Sequence, residues 1–163
     1  MWIAIDKTER MSDMANVIFR YSVTPCCGCD GDSDGGFSLS MTDSGDVEFI
    51  EYVFSKIESD RKHYALQPDT ASEISRIISE SSVRLDSIPH YLDNVSCCED
   101  MYSVTFGSRE YSGPDMCIYK ISKLKKNRPA YYEANKAALE KKSFIAELIC
   151  RIMSIVIDEI PEL

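Results

Sequence analysis

The stretch that most constrains the fold is residues 37–54, where Phe37-Ser38-Leu39-Ser40-Met41 alternates apolar with polar side chains, Thr42-Asp43-Ser44-Gly45-Asp46 supplies turn residues, and Val47 to Phe54 is apolar-rich again. A period of two puts Phe37, Leu39 and Met41 on one face of a strand. Asp and Gly favour the backbone of a tight reversal, so the spacing predicts a β-hairpin. Val47, Ile50, Phe54 and Ile57 also share a helical face, but the turn chemistry before them favours the strand.

Further strands are predicted over Ala15 to Val23, which is rich in β-branched and aromatic residues and stops at Thr24-Pro25, and over Met101 to Phe106. Gly107-Ser108 reads as a turn, and Met116 to Ile121 as another strand after the break at Gly113-Pro114. Whether Trp2 to Ile5 pairs with the first of these stays open. Pro68-Asp69-Thr70 opens a helix, with Thr70 and Glu73 at capping-box spacing and Ile74, Ile77, Ile78 and Leu85 on one face. That helix must end before Pro89, which disfavours the α conformation at Ile88. Pro129 suits the first turn of a terminal helix in which Phe144, Ile145, Leu148, Ile149, Ile152 and Val156 recur at helical spacing, with a break allowed near Lys141-Lys142.

Strands alone or helices alone would leave an apolar face uncovered. The expectation is therefore an α+β fold: a mainly antiparallel sheet of about five or six strands packed by a middle helix and a long C-terminal helix. No repeat or long linker divides the chain, so residues 1–163 are read as a single domain.

Composition narrows the function classes. The hydrophobic fraction of 44% and charged fraction of 28% are those of an ordinary globule, not a disordered chain. Met1-Trp2-Ile3-Ala4-Ile5-Asp6-Lys7 lacks the basic and apolar regions of a secretory signal, which predicts a cytoplasmic protein. Phe144 to Ile157 is interrupted by Glu147 and Arg151 and falls short of the roughly 20 apolar residues that cross a bilayer, so no membrane partner is expected. The net charge of −9 disfavours nucleic acid and anionic lipid and favours a basic protein partner. The run Lys123-Leu124-Lys125-Lys126-Asn127-Arg128, with Tyr131 and Tyr132 nearby, could touch phosphates and bases, but it is short and reads as a polar connection into the terminal helix.

Seven cysteines in a reducing compartment stay as thiols or metal ligands. Cys26-Cys27-Gly28-Cys29 has the two-residue gap that aims two sulfurs at one ion, and Cys97 or Cys98 could complete a four-thiolate zinc site. The favoured reading is free thiols with no cofactor, with zinc on Cys26, Cys29, Cys97 and Cys98 as the alternative. Cysteine catalysis is disfavoured because neither His63 nor His90 is tied by a motif to a cysteine. Asp30-Gly31-Asp32-Ser33-Asp34-Gly35 matches half of a calcium loop, but Met41 stands where the bidentate Glu belongs, so calcium is disfavoured too.

Charge is segregated along the chain. Residues 30–60 hold nine acidic residues and one basic, Lys56, whereas residues 120–142 hold eight basic residues against Glu133 and Glu140. Each run could be a solvated face, or the two could attract one another within the fold. The alternative is an acidic contact surface of Asp30, Asp32, Asp34, Asp43, Asp46 and Glu48, because complementary potential speeds encounter with a cationic partner. No nucleophile elbow, paired His ligands, phosphate loop or dinucleotide fingerprint is present, so no catalytic residue is assigned. In general character the chain is similar to small bacterial proteins, among which toxin-neutralising immunity proteins are common. The leading expectation is a non-enzymatic cytoplasmic binding protein, an immunity protein neutralising a basic, nuclease-like toxin. The alternative is a zinc-stabilised structural or regulatory domain.

Overall fold

A computed structural model of the chain describes residues 16–25, 35–53, 57–92, 100–114 and 118–163. Six strands, β1 (Val17–Thr24), β2 (Phe37–Thr42), β3 (Asp46–Val53), β4 (Ile57–Ala65), β5 (Met101–Phe106) and β6 (Arg109–Pro114), form one sheet in the order β4-β3-β2-β1-β5-β6. All five pairings are antiparallel. Between β4 and β5 lie α1 (Pro68–Glu80) and α2 (Ser82–Asp86), and after β6 come α3 (Ile118–Asn127) and α4 (Pro129–Glu159). This is the expected α+β arrangement.

Directly opposed residues of an antiparallel pair share a face. Phe19 lies opposite both Met41 and Phe106, Tyr21 opposite Leu39 and Val104, and Met41 opposite Val47. These residues define the core face, on which Phe19, Leu39, Met41, Val104 and Phe106 are fully buried. Ile74, Ile77 and Leu85 from the middle helices join the same apolar cluster, as do Ile145, Leu148, Ile152 and Val156 from α4. Side chains three and four apart on a helix share a stripe, which is why these spacings bury together.

Polar contacts tie the helices to the sheet. The buried Tyr111 hydroxyl donates to the Leu85 carbonyl at 2.8 Å, fastening α2 to β6. The same burial raises its ionisation above the ordinary 10.0. Arg109 donates through Nε and Nη2 to the two Asp86 carboxylate oxygens, and that contact holds the Asp86 carboxyl below its usual range. At the other end, Gln67 N donates to a Glu159 carboxylate oxygen, so the close of α4 meets the start of α1.

Several expectations need correction. No strand is predicted between Phe54 and Pro68, yet Ile57–Ala65 forms edge strand β4. The strand expected at Met116 to Ile121 is replaced by α3 over Ile118–Asn127, and the second strand of that block is Arg109–Pro114, with Pro114 at its last position. Pro ends a strand without breaking it because only its own ladder donor is missing. Thr70 lies inside α1, whose N-cap is Gln67 with no side-chain cap, so the Thr70–Glu73 capping box does not form. The middle helix is interrupted at Ser81, and α4 is continuous through Lys141-Lys142. No helix among the described residues is long and apolar enough to cross a membrane.

The outer edges of the sheet differ. Segment 90–92 lies along β6, with Leu92 N donating to Ser112 O and Ser112 N to His90 O, in a parallel bridge between Tyr91 and Ser112. On the other edge, β4 carries Glu58, Asp60, Arg61, Lys62 and His63, and charge on an edge strand discourages further strand addition.

Candidate functional site

The face of the sheet turned away from the helices is polar. One register row crosses all six strands through His63, Glu48, Ser40, Arg20, Thr105 and Glu110, and the next carries Ser38, Ser22, Ser103 and Ser112. Period-two alternation sets most of this composition, because apolar neighbours along each strand point to the core; Ile50, opposite Ser38, is an apolar exception on this face.

At the β2–β3 turn, Gly45 adopts φ 91°, a backbone region that disfavours side chains. The turn closes on itself: Asp46 N donates to Thr42 Oγ1 at 3.1 Å, and Ser44 Oγ donates to Asp46 Oδ2 at 2.7 Å. The Asp46 carboxylate is therefore engaged by its own turn. Asp43 is exposed at the tip, its backbone N donating to Asn16 O at 2.9 Å.

Glu48 lies two residues further along β3, on the polar face, with its side chain only 16% exposed. It is not a free acid. Arg61 on β4 donates from Nη1 to Glu48 Oε1 at 2.7 Å and grips Glu58 with Nε and Nη2, both at 2.8 Å. His63 Nε2 lies 3.9 Å from Glu48, and Lys62 pairs with Asp60 at 3.3 Å. The hydrogen bonds from Arg61 hold the Glu58 carboxyl below its ordinary 4.5, while the Asp60 contact raises the Lys62 ammonium. The hydrogen bond to Glu58, then the charge of Glu48, pushes the Arg61 guanidinium upward.

A depressed carboxyl contributes stability above its unfolded value and loses it as pH falls through the folded one. In Arg61→Ala, an NMR titration should therefore return the Glu58 midpoint upward toward 4.5. The pair is solvent-exposed, so global stability should change little. A Glu58 midpoint that stays put in the variant would mean that Arg61 is not its partner in solution.

Of the residues expected to form an acidic surface, Asp43 and Asp46 sit at one end of the sheet and Glu48 on its polar face. Asp30, Asp32 and Asp34 lie outside the described residues. Their segment enters β2 through Gly35, at the end of the strand opposite the Asp43 turn, and the strand between spans six residues, about 20 Å. Cys26, Cys29, Cys97 and Cys98 also lie outside the described residues. Among the described residues no group of three His, Cys, Asp or Glu side chains is placed to hold a metal ion.

The basic residues occupy a different part of the molecule. Lys123, Lys125, Lys126, Arg128, Lys136 and Lys141 are exposed on α3 and the first half of α4. These helices pack on one another through Tyr132, Leu139, Ile121 and Leu124, a cluster separate from the main core. Tyr132 is buried there with Lys125 Nζ 5.6 Å from its ring, so it serves the helix contact and does not present a stacking platform.

Sequence reasoning missed the Glu48–Arg61–Glu58 cluster. Its signal was the alternation of Arg61 and His63 with Lys62 and Tyr64, a period of two written in charged residues. No known protein family matches the chain, and no curated protein matches it.

Proposed function

We propose that the chain is a non-enzymatic cytoplasmic binding protein whose acidic segments receive a basic protein, the fitting class being a cationic, nuclease-like toxin that it neutralises. The observation that supports this is the spatial separation of charge. Lys123, Lys125, Lys126, Arg128, Lys136 and Lys141 decorate a helical pair with its own apolar cluster, while the ion pairs of β3 and β4 are made within those two strands. Among the described residues, exposed Asp43 takes no part in these pairs, and Asp30, Asp32 and Asp34 add three further acids in the segment that leads into β2. Their potential is available to steer a cation-rich surface, and complementary charge acts mainly on association rate.

The test is association kinetics against a panel of cationic ribonucleases and deoxyribonucleases at two ionic strengths. A cognate partner should bind with a rate that falls as salt rises. The triple variant Asp30→Lys, Asp32→Lys, Asp34→Lys should slow association about tenfold or more. A partner captured at the same rate by this variant, with no dependence on salt, would remove the acidic-surface reading.

A further inference from the structure

Helix α4 carries its charge against its own dipole at both ends. A helix has excess positive potential at its start and negative potential at its close, which favours acids in the first turn and bases in the last. The first turn of α4 holds no acid, its N-cap is Arg128, and its last turn holds no base. Over α3 and the first half of α4, Lys123, Lys125, Lys126, Arg128, Lys136 and Lys141 are exposed. None of the six forms an ion pair among the described residues, whose pairs are made by Arg61, Lys62, His63, Arg76 and Arg109. In a chain where 27 acids outnumber 18 Lys and Arg, six neighbouring cations without a counter-charge form a segregated surface.

The close of α4 has the opposite character. Its Glu159 accepts from Gln67 N at the start of α1, and exposed Asp69, Asp158 and Glu162 lie within three residues of that contact. The β2–β3 turn, which carries exposed Asp43, adjoins them, since Leu66 N donates to Gly45 O at 2.9 Å. None of these four acids forms an ion pair among the described residues. Each end of α4 also presents a large apolar side chain to solvent, Tyr131 near the start and Ile157 near the close. The two ends cannot satisfy one another within a molecule. Over 31 residues α4 holds them about 46 Å apart, several times the screening length of about 10 Å at 0.1 M salt.

We propose that the two ends of α4 are the halves of a self-association contact, in which the acid end of one copy docks on the basic end of a second. The second copy fits because it brings matching charge, opposite in sign and equally unpaired, with an apolar side chain to set beside Tyr131. Acids placed at the start of α4 and cations at its close also relieve both unfavourable dipole contacts. Two rods lying antiparallel make the contact twice and leave neither end free, which closes the assembly as a pair. Complementary charge steers encounter and fixes orientation more than it adds affinity, so the association is reversible and governed by salt. Repulsion between two chains of net charge −9 opposes it, and at about 0.1 M that long-range effect is screened while the contact survives. The contact needs no second protein species and stands whether or not a basic toxin binds.

The test is sedimentation equilibrium of the full chain in reductant, which keeps disulfides through exposed Cys150 out of the result. At about 0.1 M salt the mean mass should rise with concentration toward two chains, and at about 1 M the dissociation constant should weaken about tenfold or more. The basic-end variant Lys125→Glu, Lys126→Glu, Arg128→Glu should stay a single chain, as should the acid-end variant Asp69→Lys, Asp158→Lys, Glu162→Lys. Mixing the two should restore a pair, because each then supplies the charge that the other lacks, and loss of folding cannot mimic that rescue. Should a variant fail to fold, the parent's response to salt decides alone. A parent that stays a single chain at about 0.1 M, association that strengthens with salt, or folded variants that pair like the parent or show no rescue would each overturn the proposal. A monomeric parent that instead binds an oligonucleotide or anionic vesicles would also overturn it and assign the cations to phosphate.

Discussion

Phe19→Ala should lower the unfolding free energy by about 3–5 kcal/mol, the cost of emptying a large aromatic site in a packed core. Phe19 is fully buried on β1, the strand flanked by β2 and β5, and it faces Met41 on one side and Phe106 on the other. Its ring lies 5.8 Å from that of Phe106. Neither neighbour can easily fill the space, because both are held in the register of their own strands. A domain of this size is typically stable by about 5–15 kcal/mol, so the variant should keep only part of its margin. Urea unfolding would read this as a lower midpoint with an unchanged slope. A shift of less than about 1 kcal/mol would mean that β1 does not lie at the centre of the sheet.

Gly36→Ala should cost about 2–4 kcal/mol, combining overpacking against immobile backbone with the loss of a ladder hydrogen bond. A Cβ at Gly36 would fall 1.8 Å from the Val23 carbonyl oxygen, which belongs to the neighbouring strand and cannot swing aside as a side chain could. Relief requires the start of β2 to leave β1. The Gly36 carbonyl, which accepts from Tyr52 N at 2.9 Å, would move with it. The comparison is Gly107→Ala, where a Cβ meets nothing within 4 Å and only the φ of 61° opposes it, at about 1 kcal/mol. Equal thermal shifts in the two variants would argue against the close approach of β1 and β2 at Gly36.

Phe19 lies on, and Gly36 directly precedes, a strand that is legible in the sequence. β1, β2, β3 and β5 carry apolar residues at alternate positions, and the register confirms that those residues share the core face. β4 was illegible for a physical reason: as an edge strand it has a single ladder partner, and Glu58, Asp60, Arg61 and Lys62 have poor strand preference until β3 fixes them. Met116 to Ile121 misled in the opposite direction. Its β-branched and aromatic residues suit a strand, but Ile121 and Leu124, three apart, pack against Tyr132 and Leu139 of the adjoining helix, and that contact decides the period.

The acidic residues were legible as composition but not as geometry. A count over residues 30–60 stops just before Arg61 and Lys62, which fold back onto Glu48, Glu58 and Asp60. Nor does a linear count reveal that the Asp34 and Asp43 segments lie at opposite ends of β2. For the cysteines, the spacing of Cys26 and Cys29 is visible in the sequence, and both residues lie outside those the structure describes.

Helix α4 runs unbroken for 31 residues, about 46 Å, yet its two halves answer to different neighbours. Ile145, Ile152 and Val156 are sealed into the main core, whereas among the described residues Tyr132 and Leu139 belong to the small cluster shared with α3. One continuous rod therefore has two stabilities. Amides over 145–156 should exchange with solvent only when the whole domain opens, and those over 130–140 should exchange through cheaper partial openings that unzip the helix from its start. A grip on the basic end could tighten or loosen that first half without disturbing the sheet, since the helix can melt back toward Lys142 and halt where the deep packing begins.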